Sequence, residues 1–127
     1  MIAGRSLLVV LVALAAAGCG GGSDDDGSGA QTAGTVTMTD YAYDPSELTV
    51  RRGETVRVVN EGGIAHNLKV EKGPDGRRET TELTGTDTFL PKDSEDLTID
   101  LPRGRYAMVC TVPGHRDLGM VGRLSVR

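Results

Sequence analysis

The sequence predicts an all-β domain, a Greek-key antiparallel β-sandwich of seven to eight short strands, preceded by an N-terminal leader and a flexible tether. Three observations predict it. From Thr35 onward apolar residues recur at every second position, glycine- and proline-bearing turns break the pattern at short intervals, and residues 1–34 have a composition unlike the rest.

In chain order, residues 1–18 read as an export signal. Arg5 is a lone positive charge ahead of the apolar run from Leu7 to Ala17. Such a run matches the core of a signal peptide, about 7–15 residues, and falls short of the ~20 apolar residues that a membrane-spanning helix needs. The run ends in Ala16-Ala17-Gly18-Cys19, which resembles the lipobox of bacterial lipoproteins. That resemblance implies lipidation of Cys19 and attachment to an extracytoplasmic membrane face; simple cleavage and secretion is the alternative. Several acyl chains hold a protein stably where a single one is marginal.

Residues 19–34 follow as the tether. Gly, Ser and Asp dominate, including Asp24, Asp25 and Asp26, and almost no apolar side chain is present to repay ordering. The fifteen residues 20–34 reach on the order of 20 Å. Residues 35–127 are expected to form the folded domain.

Strand candidates are marked by Val36 and Met38, Leu48 and Val50, Val56 and Val58, Leu68 and Val70, Leu97, Ile99 and Leu101, and Tyr106 and Met108. Turn residues separate them at Asp44-Pro45, Arg52-Gly53, Glu61-Gly62-Gly63, Gly73-Pro74-Asp75-Gly76, Leu90-Pro91, Pro102-Arg103-Gly104 and Pro113-Gly114. Residues 72–88 are polar and rich in threonine without a clear period, which fits a loop or one short helix.

Composition excludes some functions. The net charge is −4, from 14 basic and 18 acidic residues, so there is no basic nucleic-acid footprint. Tryptophan is absent and Phe89 is the only phenylalanine, which leaves few stacking platforms for single strands or sugars. The two cysteines, Cys19 and Cys110, fall in different regions and are not expected to pair.

Chemistry concentrates in the segment from Cys110 to Met120, which reads Cys-x4-His-x4-Met after a strand. Thiolate and thioether ligands select for copper and imidazole suits it, and the Pro113-Gly114 turn can bring His115 back beside Cys110. The only other histidine, His66, follows the Gly62-Gly63 turn and opens a strand. A sandwich with loops clustered at one end can unite the two places. The set His66, Cys110, His115 and, as a weak axial ligand, Met120 is that of a blue-copper electron-transfer site.

These features resemble the cupredoxins, the small blue copper proteins of the plastocyanin, azurin and auracyanin kind. The likeness covers residues 35–127 and rests on Tyr41-Ala42-Tyr43-Asp44-Pro45, Gly53-Glu54-Thr55-Val56 leading to Asn60, His66-Asn67 and the Cys110–Met120 loop. The spacing of Cys110 and His115 is closer to the azurin and auracyanin side than to plastocyanin. The resemblance implies one type 1 copper cycling between Cu(I) and Cu(II), with His115 as the port for electrons. It also implies that Asn67 bonds to the backbone at Thr111, and that the Ala65 carbonyl faces the metal opposite Met120.

The expected role is single-electron transfer between redox protein partners by a monomer, with a copper carrier or store on the same fold as the alternative. Catalysis is not expected, because both histidines are already used and none remains for a second copper centre. The resemblance also implies an apolar docking patch around His115, to which Val112, Pro113, Leu118 and Gly119 are expected to contribute and which Arg116 and Asp117 interrupt. A mixed interface with a salt-dependent encounter rate follows.

Overall fold

The computed structural model describes residues 32–127. The export signal, Cys19 and the tether up to residue 31 lie outside the described residues. Nine strands are present among the described residues: β1 (Thr32–Thr39), β2 (Ala42–Asp44), β3 (Glu47–Val50), β4 (Thr55–Asn60), β5 (Lys69–Lys72), β6 (Glu82–Gly85), β7 (Ser94–Thr98), β8 (Gly104–Val109) and β9 (Val121–Val126). They form two sheets, in the order β2-β1-β4-β7 and β3-β9-β8-β5-β6.

The alternation seen in the sequence becomes the interior. Val36 and Met38 of β1, Val56 and Val58 of β4 and Leu97 of β7 are buried from one sheet, against Val70, Met108, Leu124 and Val126 of the other. A period of two puts these side chains on one face of each strand. Burying each such side chain fully contributes about 1.5–3 kcal/mol.

The sandwich is mixed rather than wholly antiparallel, and has nine strands. β1 lies parallel to β4 and β3 parallel to β9, while the other pairs are antiparallel. The reason is that the short β2 and β3 leave β1 in succession, so that β3 crosses to the edge of the second sheet. One consequence reaches the functional end. Met38 pairs with Asn60, so the turn after β1 and the turn after β4 emerge side by side, and Glu61 N–H donates to the Met38 carbonyl at 2.8 Å.

The segment 72–88 holds no helix; it comprises a loop followed by β6. Its Gly76 lies on the outer face of the second sheet, where an added Cβ would meet Ala107, Val109 and Val121 at 3.1–3.3 Å. That cover explains why Ala107 and Val109 are as buried as the core-facing Tyr106 and Met108 of the same strand. Sequence periodicity misses it because a polar loop supplies the cover.

Candidate metal centre

Cys110 directly follows β8, and the chain then folds back on itself before β9. His115 N–H donates to the Val112 carbonyl at 3.0 Å and Leu118 N–H to Gly114 at 3.1 Å. Gly114 takes φ 85°, a left-handed conformation that costs a residue with a Cβ. Met120 N–H reaches the His115 carbonyl at 3.0 Å, and Cys110 N–H reaches the Met120 carbonyl at 3.2 Å. The loop is thus closed by its own backbone, with Cys110, His115 and Met120 all buried.

His66 arrives from the connection between β4 and β5. It exchanges backbone hydrogen bonds with Phe89, 3.3 and 3.0 Å long, in an isolated bridge, and β5 itself begins only at Lys69. Its Nδ1 lies 3.1 Å from His115 Nδ1 and 4.0 Å from Cys110 Sγ, and His115 Nδ1 lies 3.4 Å from the same sulfur. All three residues are buried, and their donor atoms fall within 4.8 Å of one another.

Ligand atoms about 2.0–2.3 Å from a shared ion sit roughly 3–4 Å apart, as these do. Two imidazoles and one thiolate in a buried cluster fit copper. Burial, then the neighbouring His66, pushes the His115 imidazole below its ordinary pKa, which favours the neutral form that binds metal.

The surrounding groups fix these side chains. Asn67 Oδ1 accepts from Thr111 N–H at 2.9 Å, and Asn67 Nδ2 donates to Thr111 Oγ1 and Thr88 Oγ1 at 3.0 and 2.9 Å. The buried Tyr43 hydroxyl donates to the Asn67 carbonyl at 2.8 Å, and burial raises its pKa well above the usual phenol value. Asn60 Nδ2 bonds to the Ile64 and Phe89 carbonyls on either side of the His66 bridge. Ala65 is half-buried beside His66.

A scan against protein families matches residues 30–127 to the copper-binding proteins of the plastocyanin/azurin family. The chain belongs to that family. Similar proteins include a plastocyanin from a Synechococcus strain, 37% identical over 87 residues, which span 66% of this chain and 62% of that one. The chain therefore covers less than two thirds of that relative's own length. The copper-resistant cuproprotein CopI of Rubrivivax gelatinosus is 31% identical over 112 residues, covering 77% of this chain and 68% of CopI. Among solved structures, dithionite-reduced auracyanin from the photosynthetic bacterium Roseiflexus castenholzii superposes with a TM-score of 0.66 at 27% identity, over 78% of this chain and 99% of that one. Copper is the cofactor of this cupredoxin, and His66, Cys110 and His115 are the donors gathered for it.

The cupredoxin fold also redirects one side chain from its expected place. Arg116, read from sequence as part of the contact surface, turns back over β5. Its Nη1 donates to Glu71 Oε2 and to the Gly76 carbonyl, both at 2.9 Å, and its Nη2 pairs with Glu71 Oε1. The guanidinium holds the Glu71 carboxyl below its ordinary pKa, and the Glu71 side chain is only 2% exposed. Arg116 is therefore a tie between the ligand loop and the covering loop rather than a free surface charge.

Two neighbours of the site escaped sequence reasoning. Asp40 accepts from His66 Nε2 at 3.1 Å, and Tyr41 stands edge-on to His115 with ring centroids 5.1 Å apart. Neither lies in a motif with the donors. The pairing of β1 with β4 brings them there.

Proposed function

We propose that this cupredoxin carries single electrons between redox proteins. The observation that carries the reading is the buried cluster of one thiol and two imidazoles, each held by its own framework of hydrogen bonds. Copper(II) favours tetragonal and copper(I) trigonal or tetrahedral surroundings; two imidazoles and one thiolate held in place suit both, so exchange is fast. His66 and His115 would supply neutral nitrogens and Cys110 the charge-donating thiolate, with the buried Met120 thioether as a weak further donor that would tune the potential. The family likeness adds the Ala65 carbonyl as a further neighbour that would face the metal.

As the family likeness implies, electrons would enter and leave at His115. Leu118 on the ligand loop, Ile64 and Leu90 flanking the bridge of His66 and Phe89, and Tyr41 against His115 are all exposed apolar side chains on segments that carry or touch the donors. They form a contact face for protein partners, and with Arg116 engaged by Glu71, Asp117 is the charge on this loop left to give the encounter its salt dependence. Both histidines belong to the one site and leave none for a second copper centre, which favours a carrier over a copper enzyme. The export signal and the lipobox-like Cys19 of the sequence support an extracytoplasmic, lipid-anchored protein, with secretion of a cleaved form as the alternative, and the folded domain begins at Thr32 rather than at Thr35.

The likeness to a copper-resistance protein favours a second reading, a copper carrier or store. Two rates separate them. An electron carrier exchanges electrons rapidly with an inorganic oxidant while releasing copper to a chelator slowly. Rapid copper loss with sluggish electron exchange would favour the carrier.

A further inference from the structure

We propose that Asp40 is a positioning residue for the copper site, a carboxylate that orients His66, fixes its tautomer and biases the site toward the oxidised metal. The proposal requires copper at this cluster but not electron transfer to any partner. Asp40 sits in the turn after β1, outside the sequence motifs that carry the ligands.

The geometry is specific. Asp40 Oδ1 accepts from the Gly63 N–H at 2.9 Å and from His66 Nε2 at 3.1 Å, while His66 Nδ1 faces Cys110 and His115. Asp40 is the only hydrogen-bond acceptor that Nε2 has among the described residues. A carboxylate is an acceptor alone, so the ring must carry its proton on Nε2 and turn the Nδ1 lone pair toward the metal. Carboxylate–histidine–metal arrangements of this kind raise the basicity of the ligand and hold its ring.

Three features of the chain converge on this contact. Parallel pairing of β1 with β4 delivers Asp40 to the end of the sandwich where His66 lies, whereas antiparallel pairing would send it to the other end. Tyr41, next in sequence, holds φ 65°, an uncommon conformation for a bulky residue, and rests edge-on against His115. Position 62 has to be small, because a Cβ on Gly62 would stand 2.6 Å from Asp40 Oδ1 and 2.9 Å from His66 Nε2.

The negative charge of Asp40, passed to the metal through the imidazole, favours Cu(II) over Cu(I). Loss of such a partner typically costs about 10–100-fold in metal affinity. Asp40 is 49% exposed on its side chain, so water screens it and the lower end applies.

The test compares Asp40→Ala, Asp40→Asn and Asp40→Glu in the full chain. Nitrogen-15 NMR of the metal-free protein reads the His66 tautomer, and chelator competition reads the Cu(II) and Cu(I) affinities separately. Asp40→Ala is expected to mix the tautomers and to weaken Cu(II) relative to Cu(I) about tenfold, which is a 59 mV rise for a one-electron couple. Asp40→Asn, which keeps an acceptor and loses the charge, should retain the tautomer while shifting the affinity ratio in the same direction, and Asp40→Glu should recover part of both. An unchanged tautomer and affinity ratio in Asp40→Ala would overturn the proposal, as would a loss of folding stability with that ratio intact.

Discussion

Cys110, His115 and Met120 share one loop, closed by its own backbone hydrogen bonds, whereas His66 reaches the same point from another connection and is held by Asp40, Asn60, Asn67 and Phe89. The first region is local and the second is assembled from distant parts of the chain. A local loop keeps its shape when remote contacts fail. The His66 side depends on strand register, so its supports should be more sensitive to single changes, with Arg116 the informative exception on the loop side.

The largest expected effect is at that exception. Arg116→Met leaves Glu71 buried without its partner and should cost about 3 kcal/mol. The pH dependence sharpens this result. In the native protein the folded Glu71 pKa lies below the ordinary 4.5. Its contribution is therefore complete above the unfolded value and lost as pH falls through the folded one. In Arg116→Met burial pushes that pKa up instead, so unfolding measured by urea from neutral to acid pH should show the slope from this group reversed. An unchanged slope would mean that Glu71 does not depend on Arg116.

Asn67→Ala should follow in size. It deprives the Thr111 N–H and Thr88 of a buried partner and uncouples the two ligand regions, at about 2–3 kcal/mol. Such a loss lowers the melting temperature of a domain this size by roughly 10 °C or more. Its effect on the copper spectrum should exceed that of Arg116→Met, because only Asn67 joins the His66 side directly to the residue after Cys110.

Tyr43→Phe removes the hydroxyl that fixes the Asn67 carbonyl and should cost about 1 kcal/mol, read in the same urea titration. Gly62→Ala crowds the contact of Asp40 with His66: the half-exposed Asp40 can swing away, but the buried His66 ring, 2.9 Å from the added Cβ, must also give, at a cost of about 1 kcal/mol. It should also move the reduction potential upward. If Gly62→Ala left the potential untouched while Tyr43→Phe moved it, the support of His66 would run through Asn67 rather than through Asp40.

Much of the fold was legible because burial repeats along the strands. Val36, Met38, Val56, Val58, Val70 and Met108 announce their strands by alternation, and all are buried. The donors of one loop were legible because they are neighbours in sequence, and His66 because the chain has no other histidine to spare. Asp40 and Tyr41 were not legible as site residues. Their place depends on the parallel pairing of β1 with β4, which periodicity does not encode. The inward turn of Arg116 was hidden for a similar reason, since a charged residue on a loop reads as solvated until Glu71 and the Gly76 carbonyl are seen beneath it.

Thiolate-bound copper at His66, Cys110 and His115 is tested most directly by adding copper(II) to the purified protein. The visible absorption and the electron paramagnetic resonance spectrum are then recorded beside those of Cys110→Ser. An intense thiolate-to-copper band with narrow hyperfine splitting is expected in the native protein, and both should disappear in the variant. A colourless native protein, or colour that persists in Cys110→Ser, would contradict thiolate coordination.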